Sequence, residues 1–517
     1  MQGEGSDSWL QDLGERKPPF VFQTEYLCDG KFADWSGPYQ EVFSPVCEKA
    51  GEEFRQILIG KYPLLDETAA LSVLEGAGRA YQDGSGEWPT MSPKRRIRHF
   101  EEFLREFRKI RTEVVELLMW EIGKTKADAE KEFDRTVEYT RATIDYYKQK
   151  AALFNKPRSK GDILGFVMLC PRGIVLCMGP YNYPLNETFT TLIPALITGN
   201  VVIFKPPRLG VLLHRPILKI FQKVFPHGAV STVYGEGQKV ISPLISTGRI
   251  DVLAFIGSSR VADILKRLHP KPHRLHTIFG LEAKNPAIIL KDANLDEIVD
   301  ECISGALGFN GQRCTAIKLF MVERDIAEAF AQKLSAKISE LKLALPWEEG
   351  AKITPLPETS RTHYLLELIE DAKNYGAKVV NSHGGESQLT YFKPAVLYPV
   401  TEKMRVFHEE QFGPVVPIFS FDNLEAVANI IVHSDYGQQL SIFSNDRKRI
   451  QETIRLLGNQ VTRININAQC QRGPDTMPFT GRKDSAEGVL SISEAIKEFT
   501  LPLVLATKNI SKNKKLI

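Results

Sequence analysis

Short apolar runs separated by amphipathic stretches dominate the middle of the chain. Strands are predicted over 163–169, 173–178, 201–204, 230–234, 252–256 and 277–279, and helices over 209–224 and 260–268. Alternating strand and helix implies a doubly wound, largely parallel sheet, in which ligands bind beyond the carboxyl ends of the strands. From Lys284 the alternation restarts. A strand over 287–290, a helix over 295–307, a turn carrying Cys314, a strand over 316–322 and a helix over 326–341 describe a second α/β domain, with the boundary near 281.

Upstream the period changes. Ser92-Pro93 is a helix start signal, and Ile97, Phe100, Phe103, Leu104, Phe107 and Ile110 recur at helical spacing. Arg95, Arg96, Glu101, Arg105 and Lys109 fall between them, as a solvated face does. Helical character continues to about 150 with a break near Gly123, whereas residues 1–65 read as turn-rich with short extended pieces such as 40–43. At the other end, 499–506 is an apolar strand outside the second domain's pattern, an edge that invites pairing.

Composition narrows the classes. The chain has 517 residues, 43% hydrophobic and 25% charged, and its 66 basic and 63 acidic side chains leave a net charge of +3. That balance gives no field for nucleic acid or a membrane surface, and no apolar run approaches spanning length. The 7 cysteines are scattered without a C-x-x-C pair or metal-ligand spacing, so no metal site is expected. An odd, sparse set of thiols argues for a reducing compartment, and the first residues lack a signal-peptide profile, so the protein reads as cytoplasmic.

The stretch Gly308-Phe309-Asn310-Gly311-Gln312-Arg313-Cys314-Thr315 places a cysteine just past a helix end, among polar neighbours. An electropositive, partly exposed setting is what lowers a thiol's pKa and makes it nucleophilic. Gly257-Ser258 opens a helix after a strand, so its backbone N–H groups can face a pyrophosphate.

Five segments fall in one order and spacing. They are Pro180-Tyr181-Asn182-Tyr183-Pro184, Phe204-Lys205-Pro206-Pro207, Gly257-Ser258, Gly311-Gln312-Arg313-Cys314 and Glu410-Gln411-Phe412-Gly413-Pro414. Together they resemble the aldehyde dehydrogenase superfamily from about residue 26 to 507. Gly-Gln-Arg-Cys-Thr-Ala-Ile-Lys at 311–318 and Cys470-Gln471-Arg472-Gly473-Pro474-Asp475 are similar to its NADP-dependent, non-phosphorylating glyceraldehyde-3-phosphate dehydrogenases. The resemblance implies a Rossmann-like dinucleotide-binding domain (1–154 and 172–281), an α/β catalytic domain (282–490) and an oligomerisation element (155–171 and 491–517) that makes dimers or tetramers.

It also implies site residues. Cys314 attacks an aldehyde, the thiohemiacetal gives up hydride, and Asn182 with the Cys314 N–H holds the oxyanion. Lys205 resembles the adenosine-ribose ligand, and Glu410 and Phe412 the residues that hold and stack on the nicotinamide riboside. Arg208 stands where NAD-preferring relatives often carry glutamate and can pair with a 2′-phosphate, so NADP is expected over NAD. Arg313, Arg472 and Tyr183 resemble substrate ligands of the phosphorylated-aldehyde group. Arg141 is a further candidate whose register the sequence does not fix.

One departure stands out. The family's Glu-Leu-Gly-Gly-Lys reads Gly280-Leu281-Glu282-Ala283-Lys284, so a glycine replaces the general base. Glu282, about 6.5 Å along an extended segment on the same face, is the candidate replacement. The reading is oxidation of an anionic aldehyde, glyceraldehyde 3-phosphate foremost, to 3-phosphoglycerate. Its alternatives are another aldehyde, a thioester resolved by coenzyme A, and a non-enzymatic scaffold.

Overall fold

The computed structural model describes residues 13, 16–51, 53–154 and 158–514. Parts of the expected first and oligomerisation segments (1–12, 14–15, 52, 155–157 and 515–517) lie outside the described residues.

Two sheets carry the molecule. In the first, Val230–Thr232, Val201–Lys205, Ile174–Met178, Val252–Ile256 and His276–Gly280 run parallel in that order, with Ala486–Glu487 antiparallel at the edge. The chain starts in the centre, runs to one edge and returns to the other side. The switch point therefore lies between Ile174–Met178 and Val252–Ile256, where such sheets open a crevice. Both strands are buried on both faces until their last residue, as parallel strands between helices must be.

The second sheet has the order Lys378–Val379, Ala395–Tyr398, Val415–Phe421, Leu319–Glu323, Pro286–Ile289, Gln439–Phe443, Arg463–Ile466. Only Lys378–Val379 pairs antiparallel. A third, small sheet pairs Thr500–Lys508 antiparallel with Ile163–Pro171 over nine residues, with Arg158–Lys160 beyond. Its outer strand leaves Leu501, Leu503, Val504 and Leu505 exposed. The helix Ile492–Glu498 just before it packs Ala495 and Ile496 into the core beneath the first sheet, where Leu490 also lies.

The helix Pro93–Phe107 buries the apolar stripe its spacing predicts. Phe103 stacks on Phe221 at 5.1 Å and Phe107 on Phe133 at 4.6 Å. Arg96 does not lie on a solvated face: it is buried and donates from Nη2 to the Tyr147 hydroxyl at 2.7 Å.

Three other expectations shift. Residues 39–63 form a long hairpin, Tyr39–Ala50 against Glu53–Pro63. Its alternation is masked by charges that pair across the strands, Glu48 with Arg55 and Glu41 with Lys61 at 3.1 and 3.0 Å. The helix expected from 209 begins at His214, because Gly210 is left-handed (φ 80°) and the buried Glu121 carboxylate accepts the Val211 and Leu212 N–H groups. The strand expected from 316 begins at Leu319, since residues 314–316 turn to present Cys314. No helix of the described residues is long and apolar enough to cross a membrane.

Candidate active site

A cavity of about 1230 Å³ is lined by the residues that follow the first sheet's strands and by turns of the second domain. Of the residues singled out from the sequence, Asn182, Tyr183, Lys205, Arg208, Gly257, Ser258, Glu282, Arg313, Cys314, Glu410, Phe412 and Arg472 line it, and Arg141 does not.

Cys314 is set by an unusual turn. Phe309, Asn310 and Gly311 have φ of 48°, 54° and 71°, a run of left-handed residues that costs about 1–3 kcal/mol per non-glycine position and persists only if over-determined. The bonds that hold it are specific. Asn310 donates to the Thr354 carbonyl at 2.9 Å and accepts from the Thr354 N–H at 3.0 Å, and Lys318 Nζ donates to the Gly311 carbonyl at 2.7 Å. At Gly311 a Cβ would stand 2.7 and 2.8 Å from the Gly413 and Ala306 carbonyl oxygens, so only glycine fits. Asn285 Nδ2 donates to the Cys314 carbonyl at 2.7 Å.

Asn182 reaches the same turn. One hydrogen of its amide is placed on the Gln312 carbonyl at 2.8 Å, which leaves the second for a ligand beside Cys314. The loop of Glu410 and Phe412 is clamped by Lys284, whose Nζ donates to the carbonyls of Val406 and Glu409 at 2.6 Å and to Gln411 Oε1 at 2.7 Å. Phe412 meets the edge of Tyr181 at 5.8 Å and lies under Lys318 Nζ at 4.7 Å.

The electrostatics of the cysteine differ from the sequence expectation. Burial pushes its thiol up to about 11, Glu410 adds to the rise, and Lys318 and Arg313 only partly oppose it. The cysteine is partly exposed as expected, but the positive setting is too weak to stabilise a thiolate, and Arg313 Nη2 donates to the Ser304 and Gly305 carbonyls at 3.0 and 2.9 Å, capping the preceding helix. Glu410 is buried, its Oε1 makes no hydrogen bond, and Lys318 Nζ stands 3.7 Å away. Burial raises Glu410 to about 7 and lowers Lys318 to about 8.

Glu282 also takes an unexpected place. Its carboxylate accepts the Ser259 N–H at 2.7 Å, at the amino end of the helix Ser259–Leu268, rather than reaching toward Cys314. An anion is at home there, because the first N–H groups of a helix lack partners and carry its positive end. Ser258, the residue before that helix, makes no side-chain cap.

These donors fit a dinucleotide. Lys205 has no ion-pair partner among the described residues, and burial with the nearby Arg208 lowers it to about 8. Arg208 is held by Glu358, at 2.7 and 2.6 Å. The Gly257 N–H, expected to face a pyrophosphate, is instead spent on the Gly280 carbonyl at 3.0 Å, so the helix end offers the Ser258 N–H, and the set as a whole offers cations for phosphate with the orphaned Glu410 oxygen as an acceptor for a ribose hydroxyl.

A second group of charges surrounds Arg472. Arg472 is ion-paired with Glu187, stands 3.7 Å from Asp475 through Nε, and lies over the Phe479 ring at 4.8 Å. Its Nε and Nη2 have no hydrogen-bond partner among the described residues. Arg135 completes the group, paired with Asp475 at 2.9 Å. Arg141, later on the same helix, is exposed and away from the cavity. Arg135 was missed because nothing in a long charged helix marks which turn faces a cavity; only its pairing with Asp475, 340 residues away, does so. Lys124, buried with Glu132, sits over the Tyr183 ring at 3.4 Å and was likewise invisible.

Comparison with known proteins places the chain as a whole. The model of the aldehyde dehydrogenase family matches residues 48–503. The NADP-dependent glyceraldehyde-3-phosphate dehydrogenase of Streptococcus equinus is 36% identical over 346 residues, 66% of this chain and 71% of that one. That of Arabidopsis thaliana is 32% identical over 332 residues, 64% of this chain and 65% of that one. The crystal structure of the NADP-dependent glyceraldehyde-3-phosphate dehydrogenase of Bacillus halodurans C-125, complexed with NADP, matches with a TM-score of 0.86 at 28% identity, covering 95% of this chain and 100% of that one. The cysteine turn, the crevice at the switch point and the family match together lead to one conclusion: the chain belongs to the aldehyde dehydrogenase family.

Proposed function

We propose that the protein oxidises an anionic aldehyde to the free acid with NADP, and that glyceraldehyde 3-phosphate is its substrate. The observation that carries the anionic class is a pair of guanidiniums lining the Cys314 cavity, the buried Arg472, ion-paired with Glu187, and Arg135, paired with Asp475. A planar, always-charged fork suits a phosphate. The similar proteins named above carry this substrate and cofactor in their names.

In this reading Cys314 Sγ bonds to the aldehyde carbon, and the carbonyl oxygen becomes an alkoxide. The Asn182 amide and the Cys314 N–H receive it, donors fixed before the charge develops. The bound NADP supplies the hydride acceptor. Loss of hydride from the carbon leaves a thioester on Cys314, and attack by water releases the acid and returns the thiolate. Because the thiol rests near 11, it must lose its proton within the site. Glu410, near 7, and Lys318, near 8, are the groups poised to titrate beside it.

Lys205, Arg208, the Gly257-Ser258 backbone, Glu410 and Phe412 are assigned to the cofactor, and Tyr183, Arg472 and Arg135 to the substrate. Arg313 is assigned to holding the turn, with Glu282 as a carboxylate available to water once it leaves Ser259. A cytoplasmic location fits seven unpaired thiols. The exposed strand Thr500–Lys508 supports assembly with a second copy, as a dimer or tetramer.

A second reading has a specific observation behind it: no carboxylate stands at Gly280, and Glu282 is engaged elsewhere. The thioester would then pass to a thiol such as coenzyme A. The test is NADPH formation from glyceraldehyde 3-phosphate without inorganic phosphate, with and without coenzyme A. Sustained 3-phosphoglycerate production alone supports the first reading, and turnover only with the thiol supports the second. No reduction with any aldehyde refutes both.

A further inference from the structure

We propose that Glu358 is a specificity-determining residue that competes with the cofactor's 2′-phosphate for Arg208, so that the ion pair across the groove opens for NADP and stays closed for NAD. The inference rests on the reading of Arg208 as the 2′-phosphate ligand.

Arg208 lies in the loop after the strand Val201–Lys205, and Glu358 immediately before the helix Thr359–Asn374 of the second domain. Both line the cavity. Arg208 Nη1 donates to Oε1 at 2.7 Å and Nη2 to Oε2 at 2.6 Å, so both arms of the fork are taken. The carboxylate offsets the guanidinium's charge and places a like charge beside any incoming phosphate, so Arg208 binds the phosphate best once the carboxylate has moved aside, even though its Nε side remains open. A phosphate monoester can displace the carboxylate, since it carries about −1.5 to −2 charge at neutral pH against the carboxylate's single charge. A ribose 2′-hydroxyl carries none and cannot.

Glu358 has no other visible task. It occupies the cap position of its helix with an extended backbone, yet its side chain makes no cap hydrogen bond. Displacing it therefore costs the helix no side-chain bond. Arg361, in the first turn of that helix and lining the same cavity, is a nearby cation for the released carboxylate. Lys205, near Arg208 and without an ion-pair partner among the described residues, adds positive charge on the cofactor's side of the exchange. The price is affinity: the apparent binding of NADP is weakened by the fraction of Arg208 that Glu358 withholds.

The test is equilibrium binding of NADP and NAD, by calorimetry on the full chain without aldehyde, for the unaltered protein, Glu358→Gln, Arg208→Gln and the double variant. Glu358→Gln should tighten NADP about fivefold, the upper end for a partly exposed ion pair, and leave NAD within about twofold. Arg208→Gln should weaken NADP and erase the gain in the double variant. If Glu358→Gln weakens NADP or leaves it unchanged, Glu358 positions Arg208 or is idle, and the competition is overturned. If Arg208→Gln leaves NADP binding as it was, the assignment of Arg208 to the 2′-phosphate has failed instead. Equal melting temperatures among the variants exclude misfolding.

Discussion

Replacing Gly280 by glutamate asks whether the missing carboxylate limits turnover. The position tolerates a side chain: a Cβ there would meet Ile256 side-chain carbons at 3.5 and 3.6 Å, ordinary contact distances. Its backbone contacts, including the carbonyl that accepts the Gly257 N–H at 3.0 Å, do not depend on the absence of a side chain. Removing a glycine from a strand also lowers the entropy of the unfolded chain, a gain of about 0.4–1 kcal/mol. The new carboxylate would sit in the cavity wall near Glu410, which burial already holds near 7. The same burial and like charge would raise the new group toward the operating pH, where a general base is most effective. Such a base contributes about 10²–10⁴-fold, and the low end alone removes ~2.7 kcal/mol from the deacylation barrier. Stopped-flow NADPH formation separates the steps. The unaltered protein should show a burst of about one equivalent of NADPH followed by slow turnover. Gly280→Glu should keep the burst and raise the steady rate about a hundredfold. An intact burst with an unchanged or lower steady rate would refute the argument, because water activation would then be supplied by another group.

Three further outcomes follow from the same structure. Alkylation of Cys314 by iodoacetamide without cofactor should climb about tenfold per pH unit between pH 7 and 10, tracking a thiol near 11; peptide mass spectrometry reads it, and a plateau by pH 8 would contradict the burial argument. His214 is held down to about 3 by burial, so the unfolded chain binds its proton first as pH falls. Stability from this group is complete above 6.5 and lost on acidification, by roughly 2 kcal/mol at pH 5; His214→Phe should show a smaller drop in urea midpoint between pH 7.5 and 5 than the unaltered protein. Val504, 62% exposed on the outer strand, is the point at which to break assembly; Val504→Lys should lower the mass in light scattering while leaving the circular dichroism unchanged.

Much of the architecture was legible because it rests on local pattern. Runs such as 201–204 and 252–256 are apolar at every position only because both faces of a parallel sheet are covered, and the structure places strands there. The helix after Ser92-Pro93, and the stop of the following helix Arg111–Ile122 at the left-handed Gly123, were equally local. What escaped depends on partners far along the chain. The hairpin at 39–63 was hidden by cross-strand charge pairs, and Arg96 was assigned to solvent although Tyr147 buries it. At the site, residue types were readable but orientations were not. Arg313 sits next to Cys314 in sequence and spends its donors on the helix behind it, while Arg135 and Glu358 enter only through Asp475 and Arg208. Glu282 shows the same limit: spacing put it on the right face, and the amino end of the helix at Ser259 drew its carboxylate elsewhere.

The central claim is that Cys314 carries the substrate as an acyl group, and the most direct measurement is the mass of the protein quenched in acid milliseconds after mixing with NADP and glyceraldehyde 3-phosphate. The account predicts a mass increase equal to one phosphoglyceroyl group, located by digestion on the peptide containing Cys314, formed in step with NADPH and absent in Cys314→Ser. NADPH formed at the same rate with no adduct on that peptide, or undiminished in Cys314→Ser, would contradict it.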